Sequence, residues 1–322
     1  MSRRSCRPWF KRAIGSLVLA CLEYPYGLTH NSAMQQDLKD KLSTLRQTID
    51  ELDEQLLSIL YTRTETVKKV GELKTAANQA SADDKLVIHP TREAEMIRRF
   101  VSKSRKVIPP QTISSIWRAI ISASVNLQKP LKISAPVAHE NADGYWLARE
   151  YFGPSVNIQV AKSSEASISE VETGSSDVAV VNLEDPSNWW LPLAQLSSRK
   201  EVYLFAQLPF IYNSDKPKQT DRAWAIGKVH LTPSGQDQSV FVLSFEDMDV
   251  LTHLSTYLKD RKIAYDILGK DSHSAIVQIE GFWISKDDAL YADISTHVGR
   301  HLEEIVPVGA FATPLDLAKE NT

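Results

Sequence analysis

Cations interrupt the apolar stripe of one long helical segment, which includes residues 51–74, ELDEQLLSILYTRTETVKKVGELK. A helical bundle tolerates a single polar residue in such a stripe for register, and cations buried there without partners are costly. We therefore expect an anionic ligand to meet them. Written as a heptad, the positions of the stripe are Arg46, Ile49, Asp53, Leu56, Leu60, Arg63, Val67, Val70 and Lys74.

Two later helical segments also turn polar groups toward their apolar side. Glu93 lies three and four residues before Met96 and Ile97, while Ser124 and Gln128 continue the apolar stripe of the third segment. Each group has an ordinary explanation when taken alone, because long cations can reach solvent and a glutamate favours a helix N-terminus. Their coincidence on three helices indicates one polar site.

Spacing along the first helix separates its two arginines. Arg46 and Arg63 are 17 residues apart, which returns to nearly the same face about 25 Å further along the axis. One small ligand cannot bridge that distance. If both arginines act in a site, Arg46 must complete a site of another subunit, with the long helices pairing antiparallel.

Periodicity divides the chain into several domains of different class. Residues 34–129 are helical throughout and predict an all-α three-helix unit, with Pro90, Pro109 and Pro110 at the breaks. Residues 130–237 alternate short β-rich runs with helical ones, which indicates an α/β domain. Residues 238–315 follow the order strand, helix, strand, strand, helix, strand of a ferredoxin-like α+β domain, and residues 316–322 form a tail.

Composition narrows the partners and the compartment. The net charge is only −3, so no basic excess indicates nucleic-acid binding. Cys6 and Cys21 both lie in the first 33 residues, so the rest of the chain folds without a disulfide or a thiolate metal site, as a reducing compartment requires. We expect no metal, no membrane partner and a cytoplasmic location.

The first 33 residues combine a basic start with an apolar run too short to span a membrane. Three interpretations remain open for this extension. The translation start is assigned too early and Met34 is the true start, or the segment is a signal or lipoprotein-like leader, or it is a disordered or interfacial extension.

Three stretches carry a family resemblance: LRQTIDELDEQLLSILYTRTETVKKVGELK, REAEMI and IISASVNLQ. From about Leu38 to Gln128 the chain resembles the all-helical chorismate mutases, including those fused to prephenate dehydratase. The resemblance implies an intertwined dimer of three-helix bundles that rearranges chorismate to prephenate without a cofactor. The two substrate carboxylates need fixed cations, and the charge that develops on the breaking ether oxygen needs preorganised donors in a dry pocket.

The resemblance also implies roles for the polar residues of all three helical segments. Arg63, and Arg46 from the partner subunit, would bind carboxylates, because a guanidinium matches a carboxylate with two hydrogen bonds. Lys74 and Gln128 would donate to the ether oxygen. Glu93 would accept a hydrogen bond from the ring hydroxyl.

Three further positions have weaker implied roles. Ser124 would donate near a carboxylate, and Arg92 would contribute beside the glutamate as a residue of second rank. His89 stands where some family members have an aspartate. It is interpreted either as an ordinary residue of the helix start or as a ligand contact.

Residues 131–237 resemble prephenate dehydratase, most clearly at VETGSSDVAVVNLED. The family continues this strand with a Glu-Asn pair and a small hydroxyl residue, where this chain has EDP at 184–186. The family's Thr-Arg-Phe motif aligns best with DRA at 221–223, and Thr220 is one residue out of register. Only 37 residues separate Glu184 from Arg222, too few for a second α/β lobe. We therefore expect a degenerate dehydratase domain.

Residues 238–315 resemble an ACT domain, a module that often binds amino acids at a dimer interface. The positions of its ligand loops read EDMD and GKDS here, and the acidic loop would repel a carboxylate, so dimerisation is favoured. The leading hypothesis is a dimeric chorismate mutase with a structural or weakly regulatory C-terminal half. A bifunctional mutase and dehydratase, and a non-enzymatic amino-acid-sensing or scaffold protein, remain as alternatives.

Overall fold

Two compact units make up the chain, Met1–Arg63 and Thr64–Thr322. The computed structural model describes residues 28–78, 88–104, 107–137, 143–183, 185, 187–215, 222–285, 288–299 and 301–319, so most of the predicted extension at 1–33 lies outside the described residues. The first unit contains most of one long helix, α1 (Leu28–Asn78). Every described side chain from 33 to 62 is exposed, so no bundle core forms there within one chain.

The second and third predicted helices are confirmed as α2 (Pro90–Lys103) and α3 (Pro110–Gln128). A proline stands in the first turn of each, where its missing N–H costs nothing. The two helices form a hairpin whose rings meet edge to face, with 4.6 Å between the centroids of Phe100 and Trp117.

The remaining elements form a mixed sheet flanked by helices. In chain order they are β1 (Lys132–Pro136), α4 (Asp143–Phe152), β2 (Asn157–Ala161), α5 (Ser164–Thr173), β3 (Val178–Asn182), α6 (Trp190–Ser198), β4 (Tyr203–Leu208), β5 (Ile211–Tyr212), β6 (Ala223–Gly227), β7 (Asp237–Phe245), α7 (Asp249–Asp260), β8 (Tyr265–Lys270), β9 (Ser274–Glu280), α8 (Ala289–His297), β10 (Leu302–Ala312) and β11 (Leu315–Asp316).

Nine of these strands join in one sheet, in the order β2-β1-β3-β6-β4-β10-β7-β9-β8. The strands β2, β1 and β3 are parallel, as expected for an α/β segment. The run β7-α7-β8-β9-α8-β10 has the predicted βαββαβ order, and its strands pair antiparallel as β10-β7-β9-β8. Helix α6 was not predicted from the sequence.

The strand pairing between the N-terminal and C-terminal parts of this sheet is short. Strand β10 pairs with β4 at Gly309 and Leu204. A Cβ at Gly309 would collide with the carbonyl oxygen of Leu204, so only glycine lets the two backbones meet there.

The helical hairpin is packed onto the α/β region through a shared hydrophobic core. Ile97 of α2 and Ile121 of α3 belong to the same buried cluster as Ile133 of β1, Ala148 of α4 and Phe205 of β4. The C-terminal strands and helices α7 and α8 enclose a separate cluster. The α2–α3 hairpin is therefore part of the same folded unit as the sheet, which fixes any side chain that the hairpin presents.

Hydrogen bonds from α2 to residues near β7 and β10 add to this packing. The guanidinium of Arg98 donates to the carbonyl oxygens of Gln236 and Thr313, at 3.0 and 2.7 Å. The hydroxyl of Thr91 donates to the carbonyl oxygen of Thr232 at 2.6 Å. These bonds tie α2 to the loop before β7 and to the end of β10.

Candidate functional site

Helix α1 carries the predicted site residues of the first unit. Arg46 is exposed and Arg63 is partly exposed. Lys74 belongs to α1 by its backbone, but its side chain lies outside the described residues. The structure therefore gives no carboxylate-binding geometry for these three cations, and their roles stay predictions.

Glu93 is buried, as its spacing from Met96 and Ile97 predicted. It lies in the first turn of α2, and its carboxylate accepts a hydrogen bond from the Nη1 of Arg118 at 2.7 Å. The backbone N–H of His89 also donates to the carboxylate. A carboxylate has about four acceptor positions, so Glu93 keeps the capacity to accept from a ligand hydroxyl.

Arg118 is the residue of this region that sequence reasoning missed. It is only 4% exposed, and its guanidinium carbon lies 3.6 Å from the ring centroid of Tyr151 on α4. Its spacing contained a signal, because Arg118 lies three, four and seven residues before Ile121, Ser122 and Val125, all on the buried face of α3.

Burial shifts the pKa values of Glu93 and Tyr151, the two groups that contact Arg118. Desolvation raises the pKa of Glu93, and the positive charge of Arg118 opposes that rise. Desolvation also raises the pKa of Tyr151 to about 12, again opposed by the charge of Arg118. The guanidinium is thus the group that favours ionisation of both neighbours.

A small cavity of about 20 Å³ opens beside the ion pair, with room for about one water molecule. Glu93, Arg118 and Tyr151 line it together with apolar side chains. Its described lining does not include Ser124 or Gln128. The structure thus joins Glu93 to Arg118 and Tyr151, and not to the two polar residues that the sequence grouped with it.

Ser124 and Gln128 occupy one flank of α3. Ser124 is buried, and its hydroxyl donates to the carbonyl oxygen of Ile120 at 2.8 Å. Gln128 is partly exposed, and its side chain faces Gly71 of α1, where an added Cβ would lie 3.2 Å from the glutamine Cγ. The glutamine therefore lies beside the part of α1 that leads to Lys74 in sequence.

The remaining predicted positions of α2 face solvent. Arg92 is exposed, and His89, which precedes the helix, is exposed and makes no side-chain capping bond. His89 occupies the N-cap position of α2, which agrees with its interpretation as an ordinary residue of the helix start. Its contact with a ligand stays a prediction.

The dehydratase-like motif is described only in part. Glu184, Pro186, Thr220 and Asp221 lie outside the described residues, and Arg222 is partly exposed. The Asp185 carboxylate accepts from the backbone N–H of Ser187 at 2.9 Å, from the Ser187 hydroxyl at 2.6 Å and from the Ser164 hydroxyl. Asp185 thus binds the start of α5.

The described residues hold no group of three or more histidine, cysteine, aspartate or glutamate residues placed to bind a metal ion. None of the helices, so far as they are described, combines the length and apolar character needed to cross a membrane.

Comparisons with known proteins support the resemblance. Residues 45–129 match the family model described as chorismate mutase type II. The chain is 32% identical over 151 residues to the bifunctional chorismate mutase/prephenate dehydratase of Aquifex aeolicus (strain VF5), covering 45% of this chain and 40% of that protein. It is 24% identical over 152 residues to the protein of the same name from Neisseria gonorrhoeae (strain ATCC 700825 / FA 1090), covering 47% and 40%.

The chain thus spans 40% of the length of these curated relatives. Among solved structures, the prephenate dehydratase of Streptococcus mutans is similar with a TM-score of 0.39 and 14% identity, covering 57% of this chain and 99% of that chain. The prephenate dehydratase of Arthrobacter aurescens in complex with L-Phe has a TM-score of 0.39 and 10% identity, covering 60% and 94%. The predicted resemblance to chorismate mutases is therefore confirmed as a family match over residues 45–129.

Proposed function

We propose that this protein is a chorismate mutase, which rearranges chorismate to prephenate. The observation that carries the proposal is the family match over residues 45–129. That range contains every residue that the sequence predicted for the site: Arg46, Arg63, Lys74, Arg92, Glu93, Ser124 and Gln128.

The proposed chemistry needs no covalent intermediate and no cofactor. Arg63, and Arg46 of a second subunit, hold the substrate carboxylates. Lys74 and Gln128 donate to the ether oxygen, on which negative charge develops as its bond to carbon breaks. Glu93 accepts from the ring hydroxyl and so orients the ring. Ser124 and Arg92 support carboxylate binding.

A homodimer is part of this proposal, and the surface of α1 supports it. Leucine and isoleucine side chains recur on α1 at alternating spacings of three and four residues, and each is 45–60% exposed. An exposed apolar stripe of this regularity indicates a helix partner. A second copy supplies the same stripe, so antiparallel pairing covers both. This α1 stripe shares Ile49 and Leu56 with the heptad that contains the cations, and it consists of Leu38, Leu42, Leu45, Ile49, Leu52 and Leu56.

The C-terminal half is proposed to be structural or weakly regulatory. From 187 to 215 the described residues form α6, β4 and β5, which leaves no second α/β lobe in that part of the chain. The Asp185 carboxylate is already bound by Ser164 and Ser187. An ACT-like dimerisation role for 238–315 agrees with its element order.

A bifunctional mutase and dehydratase is the second candidate. The observation in its favour is the printed name of both curated relatives. The aligned stretch of 151 residues is also longer than the mutase segment. Only the product of the reaction distinguishes the two candidates.

The test is an assay of the purified full chain with chorismate, followed by separation of prephenate and phenylpyruvate. Lys74→Ala should lower turnover by at least about a hundredfold, because it removes a donor to the developing charge. Lys69→Ala is the matched control, since Lys69 is an exposed cation of the same helix outside the stripe. Enzymatic phenylpyruvate would establish the bifunctional candidate. Absence of chorismate turnover would refute the mutase proposal and favour a scaffold.

A further inference from the structure

Arg118 is the cation that the fold buries most thoroughly within the described ranges. Its Nη1 donates to Glu93, while its Nε and Nη2 find no hydrogen-bond partner in the described part of the chain. A buried ion pair is weak evidence for stability, because an apolar pair of similar volume is often as stable or more stable. Its presence here points to a task other than holding the fold together.

The face of the guanidinium is held by an aromatic ring from a different region. The centroid of the Tyr151 ring on α4 lies 3.6 Å from the guanidinium carbon, and the centroid of the Phe210 ring lies 5.8 Å from the same carbon. Stacking fixes the plane of a guanidinium as well as its position. Tyr151 thus sets the direction from which Arg118 donates to Glu93.

Local bonds hold α4 in turn against α3. The hydroxyl of Ser122 donates to the carbonyl oxygen of Phe152, the last residue of α4. Gly153 follows with φ of +83°, and a Cβ there would lie 3.0 Å from the Ser122 side chain. The close approach places Tyr151 next to Arg118, one helical turn from Ser122.

We propose that Arg118 and Tyr151 are positioning residues for Glu93, so that the dehydratase-like region orients a polar group of the mutase site. This inference rests on the proposed function. Tyr151 orients Arg118, Arg118 holds one carboxylate oxygen, and the backbone N–H of His89 fixes the group from the helix start. The free acceptor positions of Glu93 are then directed at the substrate hydroxyl.

The dependence of activity on pH tests this relay, in which Tyr151 orients Arg118 and Arg118 positions Glu93. The groups that face Glu93 are Arg118 from α3, Tyr151 from α4 and the N–H of His89. Burial raises the pKa of Glu93, and the charge of Arg118 opposes that rise. Removing the charge should raise the pKa further, so the fall of activity toward acid pH should begin at a higher pH.

The experiment uses the full chain and four variants with chorismate as the probe. Arg118→Met removes the charge, and Arg118→Lys restores a charge without the stacked plane. Tyr151→Leu removes the ring but keeps the ion pair, and Tyr151→Phe keeps the ring. Arg98→Met is the matched control, because Arg98 also ties the hairpin to the α/β region but bonds Gln236 and Thr313 instead of Glu93.

We expect Arg118→Met to lower kcat/KM by roughly a hundredfold, the size of a misplacement of about 1 Å. It should also shift the acidic side of the pH–activity profile, called the acid limb, to higher pH. Arg118→Lys should partly reverse that shift. Tyr151→Leu should lower kcat/KM by about tenfold with the acid limb nearly in place, and Tyr151→Phe should stay within about threefold of the parent chain. Equal losses in Arg98→Met and Arg118→Met, with unmoved acid limbs, would reduce Arg118 to a structural residue.

A second readout separates this inference from the proposed function. Carbon-13 NMR of labelled glutamate, assigned through Glu93→Gln, follows the Glu93 carboxyl during a pH titration of the free protein. A higher pKa of Glu93 in Arg118→Met than in Arg98→Met supports the relay even if the chain does not turn over chorismate. An unchanged pKa of Glu93 overturns the relay even if the chain is an active mutase.

Discussion

Two helical regions carry proposed site residues, and they differ in how far a single chain buries their side chains. On α1 the apolar positions Leu45, Ile49 and Leu56 are 56–60% exposed in a single chain. In the α2–α3 hairpin, Glu93 and Ser124 are less than 9% exposed. Folding of one chain buries these polar groups of the hairpin, whereas the apolar positions of α1 stay exposed in one chain. Under the proposed function, the first part of the site is preorganised and the second depends on a second chain.

The largest effect on assembly and activity is expected from a charge placed in the α1 stripe. Leu52→Glu loses apolar burial and places a carboxylate in the proposed interface, at about 3 kcal/mol per copy, which raises the dissociation constant of a dimer on the order of ten-thousand-fold. We expect a monomer without mutase activity. Light scattering coupled to gel filtration, together with turnover of chorismate, measures both effects.

The control for this change is Glu54→Gln, because Glu54 is an exposed polar residue of the same helix. It should leave mass and turnover unchanged. A parent chain that is monomeric and active, or a Leu52→Glu protein that remains dimeric, would contradict the role of the stripe.

Alkaline pH tests the buried contacts of the α2–α3 hairpin through Tyr151, which packs on Arg118. Burial raises the pKa of Tyr151 from 10.0 to about 12 in the folded chain. Its contribution to stability is therefore complete below pH 10 and is lost as pH rises toward 12, because the unfolded chain releases the phenolic proton first. The loss should amount to about 3 kcal/mol.

Urea unfolding of the parent chain and of Tyr151→Phe, at matched values of pH, isolates this contribution from that of the other tyrosines and lysines. The free energy of unfolding of the parent should fall more steeply between pH 10 and 12 than that of the variant. Parallel curves for the two proteins would show that Tyr151 titrates in the folded state as it does in the unfolded state.

A smaller effect is expected where α2 is tied to the sheet region. Arg98→Met removes two hydrogen bonds to carbonyl oxygens and should lower the free energy of unfolding by about 2 kcal/mol. The proposed dimer should persist in this variant, because Arg98 lies outside α1. Thermal unfolding and gel filtration measure these outcomes, and dissociation of the dimer would show that the hairpin also contributes to assembly.

The smallest effect is expected at an ion pair on α1. Lys41 contacts Asp37 at 2.7 Å, with side chains 70% and 63% exposed. Lys41→Ala should change the free energy of unfolding by less than about 0.5 kcal/mol, because solvent screens such pairs. The melting temperature and the molecular mass should match those of the parent chain. A change in mass would extend the interface beyond the apolar stripe.

Periodicity predicted most of the fold because each element has a regular apolar pattern. The boundaries of α3 and β2 agree to within one residue with the predicted stretches PPQTISSIWRAIISASVNLQ and NIQVA. Helix α6 escaped because it is only nine residues long, contains Pro192 and has an apolar face on nearly all sides. A short apolar run of this kind does not distinguish helix from strand.

The site was predicted less completely. Burial of Glu93 followed from its place in an apolar stripe, whereas its pairing with Arg118 depends on how two helices pack. Stacking on Tyr151 requires in addition that α4, from another region of the sequence, lies against α3. Local patterns do not encode such contacts, although the helical spacing of Arg118 marked it as inward-facing.

The meeting of β4 and β10 at Gly309 has a consequence for dissecting this chain. A polypeptide that ended at residue 237 would lack β10 and leave β4 at an open edge of the sheet, with unpaired backbone groups available to other molecules. Such a fragment should aggregate unless its edge is blocked. Experiments that shorten the chain should therefore keep β10 beside β4, together with the sheet against which the α2–α3 hairpin packs.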